Sequence, residues 1–367
     1  MQTKTATRAA RGPAPALAPS SPPFNIGNLV RQQFIAYGIL PLLLIVLIIT
    51  FAVVEPRFIS QTNIINVARQ VSFLGIIAIA QMLYLITRNY DLSNGGTVAL
   101  SSITCATVMV SAPQENPALA ILLGCLAALL IGLIVGIINA VLIAVFKVSS
   151  FMVTLGTGFA ATGVALLFAG GVPVTGLPVE FSRNFGTSLV MGIPFPTFML
   201  ILVFVGAYVL LNWTRLGRQA YAVGGNEKAA YQAGVNVNRT LIAVMVMGSF
   251  LAALVGVMIT ARVSTGEANI GVQYPMESII AAVIGGIALA GGEGRVSGAF
   301  MGALFIVLLN NGMDLIRVQG YVQDILLGAL LILALLVDRV RTKIRVTAPA
   351  TNLPIQVPLT SDKGENK

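Results

Sequence analysis

The chain has 367 residues, of which 56% are hydrophobic and only 10% are charged. A soluble domain carries about 25% charged residues, so this composition excludes an ordinary soluble enzyme and a largely disordered chain. The absence of histidine excludes His-based metal sites and Ser-His-Asp triads. Cys105 and Cys125 lie in apolar runs, and we expect buried thiols, since a zinc site needs more ligands. The net charge of +9 indicates membrane topology rather than nucleic-acid binding, because the basic residues occupy short segments between apolar runs.

Apolar segments follow one another through most of the chain. A bilayer core of about 30 Å is crossed by about 20 apolar residues, and ten segments meet or approach this length. They are residues 35–54, 71–88, 95–112, 118–146, 150–169, 196–212, 241–261, 277–291, 297–313 and 321–338. The sequence therefore predicts an all-α polytopic membrane protein of about ten transmembrane helices. Its membrane domain covers residues 34–340, between a disordered cytoplasmic N-terminal tail (1–33) and a cytoplasmic C-terminal tail (341–367).

The basic residues orient these ten predicted spans. With the N-terminus placed inside, 17 of the 22 Lys and Arg residues fall in cytoplasmic segments. The five on the outer side are Arg57, Arg69, Arg183, Arg262 and Arg317. Basic residues are enriched in cytoplasmic loops, so both termini are predicted to be cytoplasmic.

Two segments rich in glycine and polar residues interrupt the apolar pattern. Residues 89–96 join spans 2 and 3, and residues 285–295 join spans 8 and 9. We expect each to form a tight cytoplasmic turn. An interrupted segment in each of two halves suggests an inverted repeat, and spans 2–5 and 7–10 are the predicted halves.

Polar side chains also occur within the spans. Two roles compete for them, lining a hydrophilic substrate path and hydrogen bonding between helices. As a set we expect them to line a path, because polar groups inside a membrane are costly unless they are partnered or wet. The predicted path residues are Gln81, Asn139, Thr154, Thr157, Asn310 and Asn311.

The chain has no evident energy source of its own. Asp91, Glu277 and the other acidic residues fall near predicted span ends, which argues against a proton- or sodium-coupled carrier. No phosphate-binding loop is present, so we expect no ATP, Mg²⁺ or other cofactor on this chain. An ion-coupled carrier and a membrane-embedded enzyme remain the alternatives from other functional classes.

The longest internal cytoplasmic segment covers residues 213–240. Asn226 is a good N-cap with Glu227 in the first helical turn, and Gly234 is a good terminator. A helix of two turns is marginal alone in water, so it must dock on something. Two possibilities stay open: packing on its own domain, or docking of a cytoplasmic partner on a small face formed by Ala229, Ala230 and Ala233. Gly224 and Gly225 are expected to turn the chain sharply into this helix.

Several sequence blocks occur together in order. They are residues 91–93 (DLS), 153–157 (VTLGT), 214–218 (TRLGR), 221–227 (YAVGGNE), 233–235 (AGV), 285–286 (GG), 289–295 (LAGGEGR) and 309–313 (LNNGM). With these blocks, the chain from about residue 34 to 340 resembles the permeases of bacterial ABC importers for simple sugars, of the ribose and xylose type. It departs from the family at Arg88-Asn89-Tyr90, where a Gly-Gly-Ile-type turn is usual.

The resemblance implies a homodimeric permease in the bacterial inner membrane. Its partners would be a cytoplasmic ABC ATPase, which binds ATP and Mg²⁺, and an extracytoplasmic sugar-binding protein, with membrane lipid around it and no nucleic acid. Similar permeases transport polyols, nucleosides or branched-chain amino acids, so these substrates stay open. The implied residues for coupling to the ATPase are Arg218, Gly224, Gly225, Asn226, Glu227, Ala230 and Gly234. The implied gate turns contain Asp91, Ser93, Gly292, Gly294 and Arg295.

Overall fold

A computed structural model describes residues 40–113 and 115–347, with side chains as far as residue 336. The predicted N-terminal tail and most of the predicted C-terminal tail lie outside the described residues. The described chain is mainly helical. Its helices are α1 (Leu40–Val54), α2 (Gln61–Ile86), α3 (Asn94–Ser111), α4 (Pro117–Ala140), α5 (Ser150–Ala169), α6 (Phe195–Trp213), α7 (Arg215–Gly225), α8 (Glu227–Gln232), α9 (Val237–Val263), α10 (Tyr274–Ile284), α11 (Val296–Leu315) and α12 (Gly320–Thr347).

Shorter elements complete the chain between these helices. A 3₁₀ turn (Pro56–Ile59) precedes α2, and a π-helical segment (Val141–Val145) extends α4. Between α5 and α6 lie a helical turn (Val179–Phe181), a π-helical segment (Ser182–Thr187) and a two-stranded hairpin. Its strands, β1 (Leu189–Val190) and β2 (Ile193–Pro194), pair antiparallel, with Val190 opposite Ile193.

Six helices are long and apolar enough to cross a membrane: α2, α4 with its extension, α5, α6, α9 and α11. Three further apolar helices, α1, α10 and the first part of α12, are shorter. The predicted span 277–291 is therefore too long, because α10 ends at Ile284 and Gly286 adopts a left-handed φ of +84°. The chain is a multi-pass membrane protein, as predicted.

Helix α2 lies at the centre of the bundle. In its most apolar stretch 89% of the residues are buried, against 28% in α4 and in α5 and 22% in α6. A helix that is apolar on all sides and buried on all sides belongs to a core. The exposed apolar faces of α4, α5 and α6 suit contact with lipid tails, as expected where the surrounding solvent is a bilayer. This arrangement leaves the polar positions of the bundle in its interior.

Candidate functional site

Two glycine-rich segments meet the chain where α2 ends. The N–H of Gly292 donates to the carbonyl of Ile86 at 2.8 Å, and Nη2 of Arg88 donates to the carbonyl of Gly225 at 2.7 Å. A Cβ atom on Gly224 would overlap the carbonyl oxygen of Ile86. The end of α7, the segment after α2 and the 285–295 loop are therefore in direct contact. We call this contact the inner junction.

The inner junction is reinforced by Tyr221. Its hydroxyl donates to the carbonyl of Gly294 at 2.7 Å, and burial raises the pKa of the phenol. Gly292 adopts a φ of +74°, which favours glycine. Arg295 immediately precedes α11 and is exposed. The junction thus joins residues expected for coupling with residues expected for the gate turns.

The helix caps predicted in the cytoplasmic segment are confirmed. Oδ1 of Asn226 accepts from the N–H of Ala229 at 3.1 Å, and Gly234 ends the segment with a φ of +82°. A helix before Asn226 was not predicted: α7 is capped by Thr214, whose hydroxyl accepts from Gly217 N–H. The expected sharp turn at residues 224–225 is wrong, because both glycines continue α7.

The face that α8 exposes to solvent differs from the expected face of small alanine side chains. Ala230 is buried in an apolar cluster with Val223 and Val237, so it does not belong to an exposed face. Tyr231 is 73% exposed instead. Glu227 is also exposed, and its carboxylate lies 3.5 Å from Nζ of Lys147. Helix α8 therefore packs on its own domain through Ala230 and leaves a polar and aromatic face free; Arg218 on α7 is exposed as well.

Residues 87–93 do not form the expected tight turn. They run as a non-helical segment along α5, which we call the strap. The N–H of Tyr90 donates to Oγ of Ser150 at 3.1 Å, and the N–H of Leu92 donates to Oγ1 of Thr154 at 3.0 Å. These hydroxyls supply partners for backbone groups that have none within a helix, as buried backbone requires. Thr154 is therefore a structural partner of the strap.

The strap ends in a buried polar network. Oδ1 of Asp91 accepts from the N–H and the hydroxyl of Ser93, at 2.8 and 2.6 Å. Asn139 donates to Oγ of Ser93 at 2.9 Å and accepts from the hydroxyl of Thr157 at 2.7 Å. Asp91 is only 1% exposed and lies three residues before α3 begins, so it is a fully buried acidic side chain at a helix end. Its position follows from the strap, which carries the chain inward before α3 begins.

Helices α3 and α10 begin at the same depth, in the middle of the bundle. Nδ2 of Asn94 donates to Oγ of Ser278 at 3.2 Å. A Cβ atom on Gly95 would lie 2.7 Å from the carbonyl oxygen of Gly271 and 3.0 Å from Pro275. The backbone of Gly96 meets that of Gly158, halfway along α5. Two helix N-termini, each preceded by a non-helical segment, therefore meet near mid-depth.

A polar cavity of about 600 Å³ opens beside this meeting point. Its walls come from α2, the end of α9, the 264–273 loop, the starts of α10 and α12 and the end of α11. Nδ2 of Asn310 donates to Oε1 of Glu277 at 3.0 Å, and Gln323 donates to Oδ1 of Asp314 at 2.8 Å. Two smaller cavities, of about 290 and 250 Å³, are lined almost entirely by apolar side chains. The large cavity is thus the candidate for a polar solute.

The predicted path residues separate into four groups. Asn310 lines the large cavity, and Asn139, Thr154 and Thr157 belong to the network around the strap. Asn311 instead exchanges two hydrogen bonds with Asn63, at 2.8 and 2.9 Å. Gln81 is fully buried, and its amide has no hydrogen-bond partner among the described residues. Sequence reasoning missed further polar residues that line the cavity. Gln70 lies within α2, and the others lie in loops or near helix ends: Arg262, Glu267, Asn269, Gln273, Glu277, Asp314, Gln323 and Asp324.

Known proteins share this sequence pattern. The family described as "Branched-chain amino acid transport system / permease component" matches residues 63–335. The ribose import permease protein RbsC of Bacillus subtilis (strain 168) is 38% identical over 297 residues, covering 81% of this chain and 90% of that protein. RbsC of Escherichia coli (strain K12) is 36% identical, covering 80% and 91%. The D-allose transport system permease protein AlsC of the same strain is 32% identical, covering 84% and 92%.

No solved structure matches the chain. The family match covers most of the chain, and the relatives align along most of their own length. Both findings agree with the blocks that the sequence carries around the strap, within residues 213–240 and in the 285–295 loop. The chain therefore belongs to the family of transport-system permease components that includes the ABC-importer permeases for simple sugars.

Proposed function

We propose that this chain is the permease subunit of an ATP-driven ABC importer and transports a simple sugar across the bacterial inner membrane. The observation that supports this most directly is the strap, residues 87–93. One end of the strap contacts α7 at the inner junction, and the other end begins α3 beside the polar cavity. A movement imposed on α7 from the cytoplasm is thus connected to the middle of the bundle by seven residues of chain.

The partner on the cytoplasmic side is proposed to be an ABC ATPase. It would dock on the exposed face of α8, which includes Lys228, Tyr231 and Gln232, and on exposed Arg218 of α7. Glu227 and Asn226 shape the start of α8, Gly234 ends it, and Gly224 and Gly225 link α7 to the inner junction. ATP and Mg²⁺ would bind to that partner, and this chain would contribute no cofactor.

The polar cavity is proposed as the outer part of the substrate path. Its side chains offer amide and carboxylate groups together with Tyr274 and Phe73, a combination that suits the hydroxyl groups and apolar ring faces of a sugar. An extracytoplasmic binding protein would deliver the sugar to this side. Relatives named for ribose, allose and galactose favour a neutral monosaccharide over a polyol, a nucleoside or an amino acid.

Ten spans with both termini in the cytoplasm, an inverted repeat and a homodimer complete the proposal. The start of α3 and the start of α10 support the repeat: both follow non-helical segments, and they meet near mid-depth. They correspond to predicted spans 3 and 8, which are equivalent positions in halves 2–5 and 7–10. Helix N-termini facing a shared site near the midplane are typical of transporters built from inverted repeats.

Reconstitution into proteoliposomes tests the proposed function. The permease with its ATPase and loaded binding protein is expected to concentrate sugar only when ATP is hydrolysed. The permease alone is given a proton or sodium gradient as the matched control. Concentrative sugar uptake in that control would overturn the ABC assignment and would point to buried Asp91 as a coupling carboxylate.

A further inference from the structure

We propose that the polar cavity is an electrostatic filter, which admits neutral and cationic solutes and rejects anionic ones such as sugar acids and sugar phosphates. Selection by charge would then occur in the permease itself, in addition to any selection by the binding protein. This inference rests on the proposed function only in placing the cavity on the substrate path. The charge of the cavity is a separate property of its lining.

The lining has a clear excess of negative charge. Four carboxylates, on Glu267, Glu277, Asp314 and Asp324, face one guanidinium, on Arg262. The formal excess is therefore three negative charges around a cavity of about 600 Å³. Clefts lined by one sign of charge and walled by low-dielectric protein concentrate the opposite sign of ion and deplete their own.

The nearby cations do not cancel this excess. The guanidinium of Arg262 lies over the ring of Phe73, 5.7 Å from its centroid. Arg69 is a neighbour of Arg262, but it does not line the cavity, and its Nη2 donates to the carbonyl of Thr187 at 3.0 Å. Even when Arg69 is counted beside Arg262, the four carboxylates outnumber the cations by two.

The N-terminus of α10 does not offer the binding site for anions that helix N-termini usually provide. A helix N-terminus attracts negative charge through its free N–H groups and its dipole. Here Glu277 occupies the first turn of α10, and Nδ2 of Asn310 holds its carboxylate at 3.0 Å. The position that would otherwise favour a sugar carboxylate or phosphate already contains a fixed carboxylate.

The same lining suits a neutral hydroxyl-bearing solute. Ionised carboxylates only accept hydrogen bonds, and the side-chain oxygen of Asn310 is a buried acceptor without a partner among the described residues. A sugar hydroxyl donates to such acceptors, whereas an ionised carboxylate or phosphate brings further acceptors and negative charge. The hydrogen-bond acceptors and the negative charge of the lining thus both favour a neutral sugar over an anionic one.

Thiol modification measures the potential in the cavity directly. In a Cys105→Ser/Cys125→Ser background, Asn310→Cys places a thiol in the cavity, and Thr175→Cys is an exposed reference in the predicted outer segment. Each thiol reacts with a cationic and an anionic methanethiosulfonate reagent of similar size, and the ratio of the two rates is recorded. A single uncompensated charge at about 10 Å changes each rate roughly tenfold at an effective dielectric constant near 20, and in opposite directions for the two reagents. We therefore expect the ratio in the cavity to exceed the reference ratio by at least about tenfold.

Neutralising the lining supplies the decisive comparison. The triple variant Glu267→Gln/Asp314→Asn/Asp324→Asn is expected to bring the ratio at Asn310→Cys close to the reference. Equal ratios at the two positions, or a cavity ratio unchanged in the triple variant, would overturn the filter. If Asn310→Cys does not fold, Val307→Cys gives the same measurement, since Val307 also lines the cavity.

A second measurement separates the filter from the proposed path. ATP-driven sugar uptake by the complete transporter is recorded before and after the cavity thiol is modified. A high rate ratio with undiminished uptake would support the negative potential of the cavity but refute its place on the substrate path. Blocked uptake with a ratio equal to the reference would keep the path and refute the filter.

Discussion

Replacing Gly224 by alanine should displace α7 from the inner junction. The added Cβ would overlap the carbonyl oxygen of Ile86 and would lie 2.8 Å from the backbone nitrogen of Gly292. Ordinary contact begins at 3.4 Å, and the atoms it meets belong to the backbone and cannot rotate away. Helix α7 must therefore move by roughly 1 Å or more, as an overpacked site does.

The cost of this movement can be estimated from the contacts at the junction. Overpacking costs typically about 1–3 kcal/mol, and the displacement also strains the hydrogen bond from Arg88 to Gly225 and that from Gly292 to Ile86. A loss of about 2 kcal/mol corresponds to a roughly thirtyfold smaller equilibrium constant for docking of α7. We expect the stimulation of the ATPase by loaded binding protein to fall by up to that factor.

Gly225→Ala is the matched control. Gly225 is the next residue in the same helix, but a Cβ there meets nothing within 4 Å, and its φ is not left-handed. Alanine at such a position is neutral or stabilises the helix by about 0.4–1 kcal/mol. ATPase stimulation and sugar uptake are measured for both variants in nanodiscs or proteoliposomes. Normal coupling in Gly224→Ala, or an equal loss in Gly225→Ala, would refute the reasoning.

Three further predictions follow from the same geometry. Tyr231→Glu on the exposed face of α8 should reduce co-purification of the ATPase without lowering the yield of folded permease. Ala230→Glu should instead lower that yield because it buries a charge, and the reverse pattern would refute the proposed docking face. Asn310→Leu should reduce sugar uptake with little change in thermal stability. Asn139→Leu should destabilise the protein by about 1–3 kcal/mol because Ser93 and Thr157 lose buried partners. Thermal unfolding and uptake assays distinguish the two variants. In a Cys105→Ser/Cys125→Ser background, Ser361→Cys should resist an impermeant reagent added outside and Thr175→Cys should react; external labelling at residue 361 would indicate an odd number of spans.

Much of the architecture is determined by local sequence. Long apolar runs become helices because a membrane-exposed backbone must satisfy its own hydrogen bonds, and six helices fall within or around predicted spans. Asn226 and Gly234 were also identifiable as a cap and a terminator, because capping depends on residues within a few positions of one another. The family followed from short blocks that keep their order along the chain.

Features that depend on contacts between distant segments were decided only by the tertiary structure. Whether Ala230 faces solvent or the core depends on Val223 and Val237, and the capping signals around α8 carry no information about that choice. The strap looked like a turn because its hydrogen-bond partners, Ser150 and Thr154, lie about 60 residues away.

The candidate site is the clearest case of this division. Asn310 was recognisable as a polar residue within an apolar run, but Glu277 and Arg262 were assigned to span ends, where charge is ordinary. Only the packing of α2, α9, α10, α11 and α12 brings these ends around one cavity. Hydropathy along a chain determines which segments leave water, because burial of apolar surface is a local property. Which polar ends then share a space depends on how those segments pack, and that is set by long-range contacts.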